Sequence, residues 1–337
     1  MRAVFGQLPH VRLATLPTPL ERGPQLPGGS RLWMKRDDLT GLGLGGNKAR
    51  KLEFLCGHAI ANGARSLVTV GAAQSNHCRM TAAAGALLGL EVHLVVSGDR
   101  PKRPTGNVLL SMLFGAHLHY TGAAATHWGE LEIAREALTD VLDADGSAPA
   151  SIPIGGSTPV GAVGYASAFF ELMQQCDELD IAPTAIVHAS SSGGTHAGLL
   201  AGRAIMRARG RPVPEVVAIG VAKGVNAGMP DIHELTRSTL ELVGEDPAFV
   251  ERGDVVIDPR WMGDDYGVPT ASGDAAIRWA ARRGGWVLDR TYSGKGFAGL
   301  VGNAEGGRWT GGDVVFLHTG GAPRIFAGDG VPAQVLG

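Results

Sequence analysis

The chain has 337 residues, more than one domain usually needs and enough for a large core or two lobes. Hydrophobic residues make up 44% and charged residues 18%, which indicates an ordered globular protein, and the net charge of −2 gives no electrostatic reason to expect nucleic acid or an anionic membrane as a partner. No stretch reaches the roughly 18 apolar residues of a membrane helix, and residues 1–10 lack the pattern of a secretory signal.

Apolar segments typical of strands alternate with helical patterns along the chain. In chain order, strands are predicted at 32–35, 66–70, 91–96, 185–189, 215–220 and 313–318. Helices are predicted at 48–61, 78–88, 131–142, 161–179, 195–207 and 272–283. This alternation indicates an α/β fold with parallel sheets covered by helices. The polar stretch 143–151 is where we expect a boundary between lobes.

A glycine-rich loop, G-L-G-L-G-G-N-K at 41–48, precedes the first predicted helix. It contains G-x-G-x-x-G, but a dinucleotide site needs an acidic residue about 20 positions later, and none lies between Phe54 and Leu90. Asn47 breaks the Gly-Lys-Ser/Thr of a P-loop. What remains is Lys48 at a helix start, where the helix dipole and nearby cations favour the neutral amine that an imine-forming lysine needs. The alternative is an ordinary exposed lysine.

Two more polar loops each lead from a predicted strand into a predicted helix. The first is Q-S-N-H at 74–77, whose Ser75 or Asn76 is either a helix cap or part of an anion site. The second, S-S-S-G-G-T-H-A-G at 190–198, offers many small donors at a helix N-terminus. It is the better candidate for a phosphate site, and a flexible turn is its alternative.

Two tyrosines lie in turn-like segments, Tyr266 in D-Y-G-V-P (265–269) and Tyr292 in D-R-T-Y-S-G-K (289–295). Buried tyrosines near turns are usually structural, and the local sequence alone gives neither one a catalytic role.

Taken together, these segments resemble one family over nearly the whole chain: the pyridoxal-phosphate (PLP) dependent D-cysteine desulfhydrases and aminocyclopropane-carboxylate deaminases. The matching stretches are, in order, L-P-T-P-L-E (16–21), K-R-D-D (35–38), G-G-N-K-A-R-K-L-E (45–53), Q-S-N-H (74–77), the loop 192–198, Y-G-V-P (266–269), Y-S-G-K (292–295) and H-T-G-G-A-P (318–323). The resemblance implies a tryptophan-synthase-β-like PLP enzyme of fold type II. Its smaller lobe, 53–165, would be set into a larger PLP-binding lobe made of 1–52 and 166–337.

The resemblance also implies a role for each matching residue. Lys48 would hold the cofactor as a Schiff base and, once released, act as the base, while Ser75 near the α-carbon and the two tyrosines would complete the catalytic set of Lys48, Ser75, Tyr266 and Tyr292. Asn76 would bond the cofactor's phenolic oxygen, and the loop 192–195 would hold its phosphate with help from Lys51. The expected cofactor-binding residues are Lys48, Lys51, Asn76, Ser192, Gly193, Gly194, Thr195, Ser293 and Thr319. The expected substrate-binding residues are Ser75, Asn76, His77 and Tyr266.

Three positions distinguish the branches of this family. Ser293 stands where the deaminases have a glutamate that keeps the pyridine nitrogen protonated, and the desulfhydrases have a hydroxyl there. Thr319 stands where the deaminases have leucine, and His77 where they have glutamine. The sequence therefore predicts a PLP-dependent β-eliminating carbon–sulfur lyase that converts D-cysteine to pyruvate, sulfide and ammonia.

Four other functions stay open at this point. Within the family they are elimination from cysteate or another β-substituted alanine, and ring-opening deamination of aminocyclopropane carboxylate. From other classes they are a non-catalytic PLP-binding protein and, less favoured for want of the ribose-binding acid, a nicotinamide oxidoreductase.

The resemblance suggests a homodimer and a small amino-acid substrate. Three cysteines, at 56, 78 and 176 and without a C-x-x-C pair, favour a reducing cytoplasm over a disulfide framework or a zinc site, so no metal is expected.

Overall fold

Residues 5–328 are described by the computed structural model, and their strands form two sheets. The larger sheet has the order β1-β2-β10-β7-β8-β9, and only the pairing of β1 with β2 is antiparallel. Its strands are β1 (Leu20–Gln25), β2 (Arg31–Lys35), β7 (Pro183–Ser190), β8 (Glu215–Gly220), β9 (Val256–Asp258) and β10 (Asp313–Leu317).

The smaller sheet has four strands in the order β5-β4-β3-β6, all parallel. They are β3 (Ser66–Gly71), β4 (Glu91–Val96), β5 (His117–Tyr120) and β6 (Pro149–Ile152). Strand β6 pairs with β3 at one edge of this sheet, so the last residues of the expected boundary stretch 143–151 are part of a paired strand. The boundary itself stays a prediction.

Helices cover both sheets. They are α1 (Lys48–Ala61), α2 (Asn76–Leu88), α3 (Gly106–Leu113), α4 (Trp128–Ala144), α5 (Pro159–Glu178), α6 (Gly194–Ala208), α7 (Lys223–Asn226), α8 (Ile232–Leu242), α9 (Ala271–Gly284) and α10 (Ser293–Glu305). On the larger sheet, α9 and α10 pack against one face and α5 and α6 against the other, which gives two apolar layers. Within residues 5–328, no helix combines the length and the apolar character needed to cross a membrane.

The predicted strands and helices are all present, and their parallel arrangement is confirmed. The lobe limits at 52/53 and 165/166 stay a prediction, and both fall inside helices, α1 and α5. These helices touch closely: a Cβ on Gly164 of α5 would lie 2.1 Å from the carbonyl oxygen of Arg50 in α1. Glycine at 164 thus allows the two helices to pack backbone against backbone.

A buried ion network fixes the start of α1, on which Lys48 lies. The guanidinium of Arg50 donates to both carboxylate oxygens of Asp37, each at 2.8 Å, and to Glu171 at 2.8 Å. The hydroxyls of Thr18 and Tyr165 donate to Asp37 at 2.7 and 2.6 Å. Burial opposes the charge of Asp37, but Arg50 and these donors outweigh it and hold its pKa below the ordinary 3.8.

Replacing Asp37 with asparagine is expected to lower the free energy of unfolding by about 3–5 kcal/mol, because it leaves the buried Arg50 charge without its main partner. The folded pKa of Asp37 is depressed, so its contribution is present above the unfolded pKa of about 3.9. That contribution is lost as the pH falls through the folded value, and the variant should lose this acid dependence. Urea unfolding at neutral and acidic pH measures both effects. Asp177→Asn, which breaks an exposed pair with Arg211, is the control and should hardly change stability.

Candidate active site

A cavity of about 390 Å³ opens where the carboxyl ends of strands from both sheets meet. Its walls follow β3, β6, β7, β8 and β10, which is where ligands bind in parallel α/β sheets. Of the residues predicted for the site, those that line the cavity are Lys48, Ser75, Asn76, His77, Ser192, Gly193, Thr195, Tyr266, Tyr292 and Thr319. Three others, Lys51, Gly194 and Ser293, lie behind the wall rather than on it.

Lys48 is the first residue of α1, and among the described residues that line the cavity it is the one lysine, with no arginine beside it. The loop before it is held close to β10: the amide of Asn47 donates to the carbonyl of Thr319 at 3.0 Å. A Cβ on Gly320 would lie 2.8 Å from the Cα of Gly46, so glycine is needed at this contact. The pKa of Lys48 is lowered to about 8. The cause is desolvation by burial rather than a neighbouring positive charge. A sizeable fraction of its amine is neutral near pH 8.

The loop 192–195 meets a second loop, 155–157, across the floor of the cavity. The Ser157 hydroxyl donates to Ser192 Oγ at 2.9 Å and accepts the Gly194 amide at 3.2 Å. A Cβ on Gly155 would lie 2.2 Å from Ser192 Oγ and 3.5 Å from Lys48 Nζ. Gly155 has φ of 65°, a conformation that also favours glycine. The two loops thus enclose a small polar space beside the Lys48 amine.

Lys51 places a buried amine beneath this space. Its ammonium donates to the carbonyl of Gly155 at 3.0 Å, and Nζ would lie 2.6 Å from a Cβ on Gly194. The residue is fully buried, and in the described part of the chain its amine donates to that carbonyl and to the Ser157 hydroxyl at 3.4 Å rather than to a carboxylate. Burial and the charge of Lys48 lower the pKa of Lys51 well below its ordinary value. An anion bound next to Lys51 would raise its pKa again, because it would offset both the burial of the amine and the charge of Lys48.

The N-terminus of α2 forms the opposite wall. The Ser75 hydroxyl accepts the Cys78 amide at 3.2 Å, so Ser75 is the helix cap, and its own proton is free to point into the cavity. The first amides of α2, at Asn76 and His77, have no acceptor within the helix. The cap and the anion-site interpretations of Ser75 are therefore compatible.

His77 is a neutral residue of fixed tautomer. Thr69 Oγ1 donates to the carbonyl of Ile152 at 2.8 Å, so it accepts the Nε2 proton of His77 at 2.9 Å. The Nδ1 atom of His77 is buried and has no protein partner within residues 5–328. Burial, with the charges of Lys48 and Lys51, lowers the pKa of His77 well below its ordinary value.

Tyr266 and Tyr292 stand side by side with their hydroxyls hydrogen-bonded to each other. Trp128 of α4 packs edge-on against Tyr266, with ring centroids 5.0 Å apart. Burial raises the pKa of both phenols, that of Tyr292 well above its ordinary value, so both keep their protons at neutral pH. The pair can therefore donate a proton into the cavity.

Ser293 faces away from the cavity. Its hydroxyl donates to the carboxylate of Asp289 at 2.7 Å and accepts the Asp289 amide at 2.8 Å, within a turn that begins α10. Thr319 instead lies on the cavity wall. Contact of Ser293 or Thr319 with a cofactor stays a prediction, but only Thr319 of the two is on the cavity wall among the described residues.

Among the cavity-wall residues that the sequence-based site left out, Gly155, Ser157 and Trp128 lie beside its predicted residues. The first two lie in I-G-G-S-T-P at 154–159, where a strand leads through glycines into a helix whose first residue is proline. This pattern is the same kind of signal as the loop 190–198. Trp128 carries no local signal, since it reaches the cavity only through the packing of α4.

The pyridoxal-phosphate dependent enzyme family matches residues 11–320 of the chain. The chain belongs to this family. Its relatives within the family include the D-cysteine desulfhydrases of Salmonella typhi and Salmonella newport (strain SL254), each 36% identical over 331 residues, which cover 95% of this chain and 96% of theirs.

Solved structures of other proteins share this fold. A protein described as an ACC deaminase homologue matches with a TM-score of 0.86 at 34% identity, over 99% of this chain and 98% of that one. A fungal L-serine ammonia-lyase from Rhizomucor miehei matches with a TM-score of 0.63 at 17% identity over 97% of each chain, a likeness of fold alone. The predicted fold class and the dependence on PLP are confirmed.

The residues present fit PLP. The cofactor's phosphate is a dianion, and the space between loops 155–157 and 192–195 has backbone amides, hydroxyls and the buried charge of Lys51 around it. The first turn of α6, which begins in this loop, contains no acidic residue. Lys48 provides the amine that an aldehyde needs, next to this space.

Proposed function

We propose that the chain is a β-eliminating lyase that converts D-cysteine and water to pyruvate, hydrogen sulfide and ammonia. The observation that carries the proposal is the composition of the cavity wall: within residues 5–328 it contains one amine, two hydrogen-bonded phenols and no carboxylate. The relatives named as D-cysteine desulfhydrases support the choice of substrate.

In this proposal Lys48 holds the cofactor, Asn76 bonds its phenolic oxygen, and the loop 192–195 holds its phosphate above Lys51. Gly194 contributes its backbone only, since a side chain there would point at Lys51 and Ser157. Thr319 contacts the cofactor from the cavity wall, and Ser293, through its hydrogen bonds with Asp289, holds the turn that follows Tyr292. Bound PLP withdraws electrons from the substrate α-carbon, so that a proton and then a β-substituent can leave.

The protein's own groups bind the substrate and transfer the protons. The amides at the start of α2 and the Ser75 hydroxyl bind the substrate carboxylate, because a helix N-terminus favours an anion. Lys48, with a pKa of about 8, takes the α-proton once its amine is free. Tyr266 and Tyr292, which stay protonated, give a proton to the departing sulfur.

The same wall disfavours ring-opening deamination. Aminocyclopropane carboxylate has no α-hydrogen, so opening its ring needs a stronger electron sink, which a carboxylate beside the pyridine nitrogen would support by keeping it protonated. No such carboxylate lines the cavity in the described residues, and Asp289 is committed to Ser293 and three backbone amides.

We expect the purified enzyme to release pyruvate and sulfide in equal amounts from D-cysteine, and to release little or no 2-oxobutyrate from aminocyclopropane carboxylate. The reason is that thiolate is a good leaving group, whereas ring opening lacks a protein carboxylate beside the pyridine nitrogen. A side-by-side assay with D-cysteine, L-cysteine, cysteate and aminocyclopropane carboxylate measures keto acid and sulfide together. Formation of 2-oxobutyrate at a rate rivalling that of pyruvate would refute the interpretation. No turnover of any of the four, with PLP bound, would favour a PLP-binding protein without this activity.

A second candidate is elimination from cysteate. Arg324 lies outside the cavity wall with its guanidinium 5.9 Å from the centroid of the Tyr292 ring, and it donates to the carbonyl of Gln74 at 3.1 Å. In the described residues its hydrogen-bond partner is this carbonyl rather than a carboxylate, so its charge can attract a sulfonate toward the tyrosine side. Sulfite released from cysteate, without sulfide from D-cysteine, would select this candidate.

We also propose that the enzyme works as a homodimer in the cytoplasm, with lobes at 53–165 and at 1–52 plus 166–337. The family resemblance supports the dimer and the lobes. The three cysteines, which are all buried and unpaired, support a reducing compartment. Light scattering of the purified protein tests the dimer.

A further inference from the structure

The side-chain amide of Asn107, in α3, has only one orientation that satisfies its neighbours. It lies between the carbonyl oxygen of Gln74, which can only accept, and the guanidinium of Arg79, which can only donate. Its Nδ2 therefore faces Gln74 at 2.9 Å, and its Oδ1 faces Arg79 Nε at 3.2 Å. Asn107 is fully buried, so no solvent competes for these bonds.

This orientation determines that of Asn76. The second proton of Asn107 Nδ2 reaches the side chain of Asn76 at 2.8 Å, so the Asn76 atom that meets it must be the acceptor, Oδ1. Arg79 approaches the same oxygen at 3.5 Å. The Nδ2 of Asn76 is left without an acceptor among residues 5–328, on a residue that lines the cavity.

We propose that Asn107 is a positioning residue that fixes the side-chain amide of Asn76 so that a donor, not an acceptor, faces the cofactor. The inference rests on the proposed function, in which Asn76 bonds the phenolic oxygen of PLP. An asparagine with a free amide could present either atom, and its oxygen would repel the phenolate. Asn107 and Arg79 remove that freedom.

Arg79 connects the two asparagine side chains to the loop that precedes Lys48. It is fully buried and donates to the carbonyls of Gly43 and Gly45, in the loop that precedes Lys48. Asn107 is tied to the cavity edge through its backbone as well, since its amide donates to Gln74 Oε1 at 2.8 Å. The network thus joins α3, the start of α2 and the lysine loop around one side-chain amide.

The test is a double-mutant cycle between Asn107→Ala and Asn76→Ala, read from the pH midpoint of the visible absorption band of the holoenzyme. A donor stabilises negative charge on the phenolic oxygen, and that charge grows when the bound cofactor loses a proton. Loss of the donor should therefore raise the midpoint. We expect Asn76→Ala to raise it by about 0.5–1 pH unit, Asn107→Ala by up to the same amount, and the double variant no further.

The matched control is Ser111→Ala, which removes another buried polar group of α3, a hydroxyl that donates to the Asn107 carbonyl at 2.9 Å. It should lower stability without moving the midpoint. Asn107→Ser serves the same cycle if Asn107→Ala does not fold, and equilibrium dialysis of PLP gives a second readout.

The possible outcomes distinguish failure of the Asn107 role from failure of the proposed contact between Asn76 and the cofactor. A midpoint unmoved by Asn76→Ala would refute the contact between Asn76 and the cofactor. A shift in Asn76→Ala but none in Asn107→Ala would leave that contact in place and overturn the role of Asn107. An equal shift from Asn107→Ala in the Asn76→Ala background would also overturn it, because Asn107 would then act by another route.

Discussion

Lys48→Ala is expected to abolish turnover, by at least ~10³-fold, while the protein stays folded. The variant loses both the amine that holds PLP and the base at the substrate α-carbon, and losing a general base alone costs about 10²–10⁴-fold. The fold should survive, because Lys48 lies at the edge of a cavity and its amine has no hydrogen-bond partner within residues 5–328 on which α1 could depend. Pyruvate formation and circular dichroism measure the two effects.

Peptide mapping after borohydride reduction of the holoenzyme identifies the attachment residue independently of activity. The pyridoxyl group should be found on the peptide that contains Lys48. Lys51 and Lys295 are the informative alternatives, because both are buried near the site with their ammonium groups bonded to backbone carbonyls: Lys51 to Gly155 and Lys295 to Asp265. A pyridoxyl group on either one would refute the assignment.

The strands that the sequence predicts and those that it misses differ in their place in the sheets. The predicted ones, such as β4 (Glu91–Val96) and β8 (Glu215–Gly220), are interior and apolar. The four missed ones, β1, β5, β6 and β9, each form an edge of a sheet. An edge strand is partly exposed and often short, so its sequence carries neither an apolar run nor a clear alternation. The L-E-R-G-P-Q of β1 is an example, since it contains both glycine and proline.

Helix α10 (Ser293–Glu305) shows a second reason for missing an element. Its sequence, S-G-K-G-F-A-G-L-V-G-N-A-E, contains four glycines, which disfavour helix formation in isolation. Packing supplies the missing stability: a Cβ on Gly299 would lie 2.6 Å from Ile219, and one on Gly296 would lie 2.9 Å from Ala189. The glycines let the helix lie directly on the sheet, and a pattern based on propensity alone cannot reveal that benefit.

The site was predictable where its residues stand in motifs and not where they act through tertiary contacts. Lys48, Ser75 and Thr195 stand where a polar or glycine-rich loop leads into a helix, and such a junction is visible in the sequence. The orientation of Ser293 toward Asp289 depends on a turn of the backbone, and the contact of Asn107 with Asn76 joins two helices. Neither has a local signature. The cause of the lowered Lys48 pKa, burial, was likewise not visible from the helix start alone.

Gly194→Asp should weaken PLP binding by at least ~10²-fold in the dissociation constant. A Cβ on residue 194 would lie 2.6 Å from Lys51 Nζ and 2.8 Å from Ser157 Oγ, so the new carboxylate would reach the buried ammonium beneath the phosphate loop. It would neutralise that charge and stand close to the phosphate. Two like charges about 4 Å apart interact by roughly 1–4 kcal/mol between the dielectric limits of water and a protein surface, and the phosphate carries two.

The steric part of this change must be separated from the electrostatic part. Gly194→Asn is the matched control, because it has the same size and the same contact with Ser157 but no charge. Equilibrium dialysis of PLP against both apoproteins gives the comparison, and their unfolding by urea shows whether the loop still folds. We expect Asn to weaken binding through crowding alone and Asp to weaken it considerably more, by a margin that shrinks as salt is added. Equal dissociation constants for the two variants would mean that the phosphate does not lie over Lys51. The loop 192–195 would then not be the phosphate site, and the proposed orientation of the cofactor would be wrong.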